Sequence, residues 1–151
     1  MSHALTKLLF HVVFRTKRHQ PFLQGVVSQK INGYMTGIAR NQQAHLIRAG
    51  GMPDHRHLLL ELKPTVNIAD MVRLLKANAS KWARETFPEL RDFAWQTGYA
   101  AFSVSLSARN NVIKYIDNQE EHHRTTGFDE ELKKLLRRHG VAYDPVILQD
   151  E

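Results

Sequence analysis

Residues 44–63 read Ala44-His45-Leu46-Ile47-Arg48-Ala49-Gly50-Gly51-Met52-Pro53-Asp54-His55-Arg56-His57-Leu58-Leu59-Leu60-Glu61-Leu62-Lys63. Gly51-Met52-Pro53-Asp54 is turn chemistry, and the runs on either side read as strands, Ala44–Gly50 and His55–Lys63. Side chains alternate along a strand, so His55 and His57 share one face and Arg56 takes the other. Two imidazoles side by side at the start of a buried strand make a natural pair of metal ligands. The same spacing also suits two solvated or core-edge histidines.

Outward from this hairpin, Leu5 to Thr16 reads as a first strand, rich in Leu, Val and Phe. The basic stretch Lys17-Arg18-His19-Gln20-Pro21 closes it with a strand breaker. Val27, Ile31, Tyr34, Met35 and Ile38 give Gln24–Arg40 helical spacing, weakened by Gly25, Gly33 and Gly37. Pro64-Thr65 ends the strand that follows His55. Asn67, with Asp70 in the capping-box position, opens a second helix that ends near Phe87-Pro88. Tyr99–Leu106 alternates as a fourth strand. Ser107 is the expected cap of a third helix running to about His122. Asp129-Glu130-Glu131 and Arg137-Arg138-His139-Gly140 frame a last helix with charges that suit its dipole. The order βαββαβ is that of a ferredoxin-like α+β sandwich: an antiparallel sheet with helices on one face, here followed by C-terminal helices. One domain spanning 1–151 is expected. That fold hosts many functions, so the activity must be read from side chains.

The chain has 151 residues, a net charge of +6 and no cysteine. A basic surface favours polyanions such as nucleic acid. Arg15, Lys17, Arg18, Lys76 and Lys81 are candidate backbone-phosphate contacts, and Trp82 and Trp95 candidate stacking groups, with Trp82 better suited to the core. Without cysteine, disulfides and thiolate zinc sites are excluded and a reducing cytoplasm is expected. Any metal must use His, carboxylate, amide or substrate oxygen. The apolar runs are too short to span a bilayer, and no signal-peptide pattern is seen. No phosphate-binding Gly-x-x-x-x-Gly-Lys loop is present, so no nucleotide cofactor is expected.

On the third helix, Tyr115 and Gln119 lie four residues apart and stack on one stripe. Val112, Ile113 and Ile116 fall to one side, where they can pack on the sheet, and His122 falls close to the Tyr115–Gln119 stripe. A core-edge tyrosine and a capping amide would satisfy the same pattern. Tyr99 is the rival nucleophile, but it begins a strand and lacks a polar partner at helical spacing.

Three segments taken together are more specific: Gly51-Met52-Pro53-Asp54-His55-x-His57-Leu58-Leu59-Leu60, Gly98-Tyr99-x-x-Phe102-Ser103-Val104-Ser105, and Tyr115-Ile116-x-Asn118-Gln119-x-x-His122-His123. In order and spacing this set resembles the HUH-type single-tyrosine transposases, a family that includes insertion-sequence and REP-associated tyrosine transposases. One departure is Arg56, where the family usually has a large apolar residue. The resemblance implies a DNA strand transferase acting on single-stranded, hairpin-bearing DNA. It maps the metal ligands onto His55, His57 and Gln119, the nucleophile onto Tyr115, and leaves His122 as an accessory. It implies a divalent cation and a homodimer in which Tyr115 acts in cis or in trans; open coordination on phosphate oxygen suits Mg²⁺ or Mn²⁺, though imidazoles would also accept Zn²⁺ or Ni²⁺. The competing readings are a non-catalytic single-strand-binding module, a domesticated nickase working on repeated palindromes, and a two-motif His-x-Ser/Thr phosphoesterase. Only one such motif occurs, His123-Arg124-Thr125, so the pair that a two-motif enzyme needs is absent.

Overall fold

The computed structural model describes residues 3–148. Four strands, β1 (Leu8–Arg15), β2 (His45–Met52), β3 (His55–Leu62) and β4 (Ala100–Val104), form one antiparallel sheet in the order β2-β3-β1-β4. Helix α1 (Gly25–Asn41) connects β1 to β2, and α2 (Ile68–Thr86) connects β3 to β4. The expected βαββαβ order and ferredoxin-like sheet are therefore present. Three further helices follow: α3 (Arg109–Asp117), a single turn α4 (Gln119–His122), and α5 (Phe128–Arg138).

Period-two alternation divides the central strands between two apolar layers. Val12 and Phe14 of β1 and Leu58, Leu60 and Leu62 of β3 pack against Ile31 and Met35 of α1 and Val72, Leu75 and Ala79 of α2. The opposite face is covered by the C-terminal helices. Leu9 and Leu59 meet Ile116 of α3, while Val13 and Phe102 meet Phe128, Leu135 and Leu136 of α5. With helices on both sides, β1 and β3 read as nearly continuous apolar runs. The histidines of the His55–His57 face are therefore buried.

Local chemistry explains the boundaries. Asn67 caps α2, its Oδ1 accepting from the backbone N–H of Ala69 at 2.8 Å and of Asp70 at 3.3 Å. The hairpin turn is tighter than expected, with Pro53-Asp54 alone between β2 and β3. Gly51 belongs to β2 and pairs with Arg56. At φ +151° its Cβ would stand 2.3 Å from the His55 carbonyl oxygen, so only glycine fits. At Gly50 a Cβ would meet Ile116 Cγ2 at 2.9 Å, which lets α3 lie directly on β2. The third helix corrects two expectations. Ser107 lies in a 3-10 turn, Leu106–Ala108, and the residue at the N-cap of α3 is Ala108. The helix also does not run unbroken to His122: Asn118, at φ −97° and ψ 20°, separates α3 from α4.

Arg56 fills the position behind the histidine strand, 1% exposed. Its guanidinium donates to Ser28 Oγ (2.8 Å) and Asn32 Oδ1 (3.2 Å) on α1, and to the carbonyls of His55 and Met52 (both 2.9 Å). Burial lowers its pKa to about 10, with Asp54 opposing the shift. A charge in an apolar layer is tolerated because its donors are satisfied by neutral oxygens.

A candidate metal and nucleophile site on the second sheet face

β1 and β3 present His11, His55 and His57 to the layer beneath α3, α4 and α5, and all three are buried. Each ring is oriented by a neighbour. His55 Nδ1 donates to Asp54 Oδ1 at 2.8 Å, so in the neutral ring Nε2 carries the lone pair. His57 Nδ1 lies 2.8 Å from His11 Nε2. Such outer partners fix which nitrogen faces a ligand. Burial lowers the pKa of His57 to about 4, against the pull of Glu131. Burial, with His57 alongside, lowers His11 to about 3. Both are neutral imidazoles at physiological pH, the form that binds metal.

α3 and α4 bring the other expected residues to the same point. Gln119, 1% exposed, sets its Oε1 2.9 Å from His55 Nε2. The Tyr115 ring lies 5.5 Å from the His57 ring and 5.9 Å from that of His11. Break or no break at Asn118, Tyr115 and Gln119 stay on one stripe, because Val112, Ile113 and Ile116 anchor α3 on the sheet as expected. His122 is at the margin, its Nε2 buried without a hydrogen-bond partner and 3.5 Å from Glu131 Oε2.

Sequence reasoning missed the residue at the centre. Glu131 of α5 is 1% exposed. Its Oε1 faces His57 Nε2 at 3.1 Å and His123 Nε2 at 3.0 Å. Its Oε2 accepts from Gln119 Nε2 at 2.9 Å and from the Tyr115 hydroxyl. Burial alone would raise this carboxyl, but the bonds from His57, Tyr115 and Gln119 hold it well below the usual carboxylate range. Burial and the adjacent carboxylate push the Tyr115 phenol up. A signal was present in the sequence: Phe128, Glu131, Leu132, Leu135 and Leu136 have i, i+3, i+4, i+7, i+8 spacing, which puts Glu131 on the buried stripe. His11, within the first strand, and Asp54, in the turn before His55, carry no site signal in the sequence either.

Among the basic candidates, Lys17, Arg18 and Lys81 are exposed. Arg15 is 5% exposed. Lys76 donates to the carbonyls of Gln96 (2.8 Å) and Gly98 (2.6 Å), holding the segment that leads into β4. Trp82 stacks on Tyr34, and Trp95 packs edge-on against Phe14 and Phe93 with its indole N–H on the Lys76 carbonyl. Tyr99 is 42% exposed and stands outside the cluster.

The family model for IS200-like transposases matches residues 4–119. The chain belongs to the IS200-like transposase family. The matched span includes His55, His57, Tyr115 and Gln119 and ends before α5. The transposase is 28% identical over 120 residues to the ISDra2 transposase TnpA of Deinococcus radiodurans, covering 76% of this chain and 86% of that one. It is 24% identical over 127 residues to the transposase for insertion sequence element IS200 of Salmonella typhimurium, covering 80% and 82%. A crystal structure of a transposase from Deinococcus radiodurans, at 28% identity, superposes with a TM-score of 0.66 over 79% of this chain and 95% of that chain. A REP-associated tyrosine transposase solved with a REP hairpin shares the fold at 14% identity, with a TM-score of 0.58 over 82% and 74%. Among the described residues, no helix is long and apolar enough to cross a membrane.

Proposed function

We propose that this transposase cleaves and rejoins single-stranded, hairpin-bearing DNA through a covalent 5′-phosphotyrosine at Tyr115, with Mg²⁺ or Mn²⁺ held by His55, His57 and Gln119. The observation that carries this reading is the convergence of two oriented imidazoles, an amide oxygen and a phenol on one buried patch of the sheet. The donor set suits a divalent cation. In the neutral His55 ring, a lone pair at Nε2 faces the lone pairs of Gln119 Oε1 across 2.9 Å. That contact repels unless a proton or a cation lies between them.

When bound, the cation supplies Lewis-acid polarisation of a non-bridging phosphate oxygen. The residues of the chain do the rest. Asp54 and His11 hold the imidazoles in register. Ile116, seated on Gly50, sets the height of Tyr115 over the sheet. The Tyr115 oxygen forms the bond to phosphorus as the bond to the 3′ oxygen breaks. The phenolic proton passes to solvent water, and the departing 3′ oxygen takes one back from water to become a hydroxyl. Attack by another 3′ hydroxyl reverses the step and rejoins the strand without a nucleoside triphosphate. Lys17, Arg18 and Lys81 are the exposed cations proposed to meet the DNA backbone.

Relatives support the substrate class, since one of the solved structures sharing this fold is bound to a REP hairpin. The resemblance to this family supports a homodimer, which sedimentation with and without DNA tests. The test of the reaction is incubation with labelled single-stranded hairpins and Mn²⁺, with and without chelator. Cleavage that needs the metal and disappears in His57→Ala supports the reading. Cleavage that persists in both arms sinks it.

A further inference from the structure

We propose that Glu131 is itself a ligand of the divalent cation, joining His55, His57 and Gln119, so that the cation fastens α5 to the catalytic face of the sheet. This rests on the reading of the site given above and extends it to a helix beyond the span that the family model matches.

The donor spacings carry the inference. Around an octahedral cation at about 2.0–2.2 Å from oxygen and nitrogen ligands, adjacent donors stand about 3 Å apart. Here Glu131 Oε1 is 3.1 Å from His57 Nε2 and 3.5 Å from His55 Nε2. Gln119 Oε1 is 2.9 Å from His55 Nε2. His55, His57 and Glu131 offer ligand atoms that all lie within 4.8 Å of one another, and all three residues are buried. His55, His57 and Glu131 thus already lie at near-ligand spacing, with the Gln119 oxygen at the same spacing from His55. The second carboxylate oxygen is committed elsewhere, accepting from Gln119 Nε2 and the Tyr115 hydroxyl. One carboxylate therefore reaches the metal position with Oε1 and holds the nucleophile with Oε2.

Charge and coordination number agree with this. Two imidazoles and an amide leave a divalent ion with its full charge in a buried layer, where an uncompensated charge is costly. One carboxylate halves that charge, and the phosphodiester offsets the remainder. Four protein donors leave two octahedral positions, room for a phosphate oxygen and a water. The position of Glu131 within α5 gives the arrangement a mechanical consequence. Phe128, Leu135 and Leu136 pack the helix on Val13 and Phe102, and a metal bond at Glu131 adds a polar fixing point between them.

The experiment is Mn²⁺ titration by calorimetry on the full chain, Glu131→Gln and Gln119→Ala, with hydrogen exchange of the α5 amides measured with and without Mn²⁺. Expected is one Mn²⁺ per wild-type chain, affinity at least about tenfold lower in Glu131→Gln, and metal-induced protection of residues 128–138 that vanishes in that variant. Gln119→Ala retains the protection. Glu131→Asp keeps a shorter carboxylate and is expected to recover part of the affinity; it serves as the comparison should Glu131→Gln fail to fold. Affinity in Glu131→Gln within twofold of wild type, or higher, overturns the assignment; a higher value identifies Glu131 as a competitor for the metal position. Absence of Mn²⁺ binding by the wild type instead overturns the metal reading of the whole site.

Discussion

The Tyr115 hydroxyl, on α3, donates a hydrogen bond to the Glu131 carboxylate, on α5, across 16 residues of sequence. Glu131 thereby ties the proposed nucleophile of one helix to the histidine strand through a second helix. Removing the carboxylate while keeping its shape, in Glu131→Gln, should slow cleavage by about tenfold or more even at saturating Mn²⁺, through a less constrained phenol. Single-turnover cleavage under saturating DNA measures it. An unchanged rate would show that the hydrogen bond has no part in the step.

Acid sensitivity of the metal-free protein follows from the same cluster. His57 and His11 fall from 6.5 to about 4 and about 3 on folding, both chiefly through burial. The unfolded chain therefore binds more protons than the folded one below the unfolded value, and stability falls as pH drops through that window. Glu131, held below its usual range, acts in the same direction: its stabilisation is present above the unfolded carboxylate value and is lost on acidification through the folded one. Denaturant midpoints between pH 8 and pH 4 should decline steeply below about pH 6.5, and less steeply in His11→Gln.

Arg56 is a test of packing behind the histidines. Arg56→Ala opens a cavity and strips Ser28 and Asn32 of their donor, an expected loss of about 2–4 kcal/mol. Arg56→Leu restores apolar contact but not the hydrogen bonds and should cost less. Urea unfolding distinguishes the two. If both variants match wild type, the guanidinium contributes nothing to the strand's seating.

Gly50 and Gly51 set how closely the hairpin and α3 approach. Gly51→Ala places a methyl 2.3 Å from the His55 carbonyl and should destabilise the fold by more than about 2 kcal/mol. Gly50→Ala meets the flexible Cγ2 of Ile116 at 2.9 Å, but also its backbone oxygen at 3.1 Å. It should fold and yet cleave more slowly, because α3 and Tyr115 are lifted from the sheet. Thermal melts and single-turnover cleavage separate the two effects.

Much of this was legible in residues alone because it depends on local pattern. Asn67 caps α2, Ile116 and its neighbours place Tyr115 and Gln119 at the core edge, and the His-x-His pair shares a face; each follows from spacing within one element. Glu131 was not legible as a site residue, since an acid in the first turn of a helix already has a reason to be there in the helix dipole. Its burial depends on which sheet face α5 covers, which is a tertiary fact. Asn118 interrupts a helix that the helix-compatible residues Gln119, Glu120 and Glu121 would continue, and Arg56 finds its partners on α1, 24 to 28 residues away.

Trapping the covalent adduct tests the proposed nucleophile, Tyr115, most directly. Incubate the protein with a single-stranded hairpin oligonucleotide and Mn²⁺, denature, digest, and locate the DNA-bearing peptide by mass spectrometry. The expected result is a 5′-phosphate adduct on Tyr115, present in Tyr99→Phe and absent in Tyr115→Phe. An adduct that survives in Tyr115→Phe and maps to Tyr99 or any other residue would contradict it.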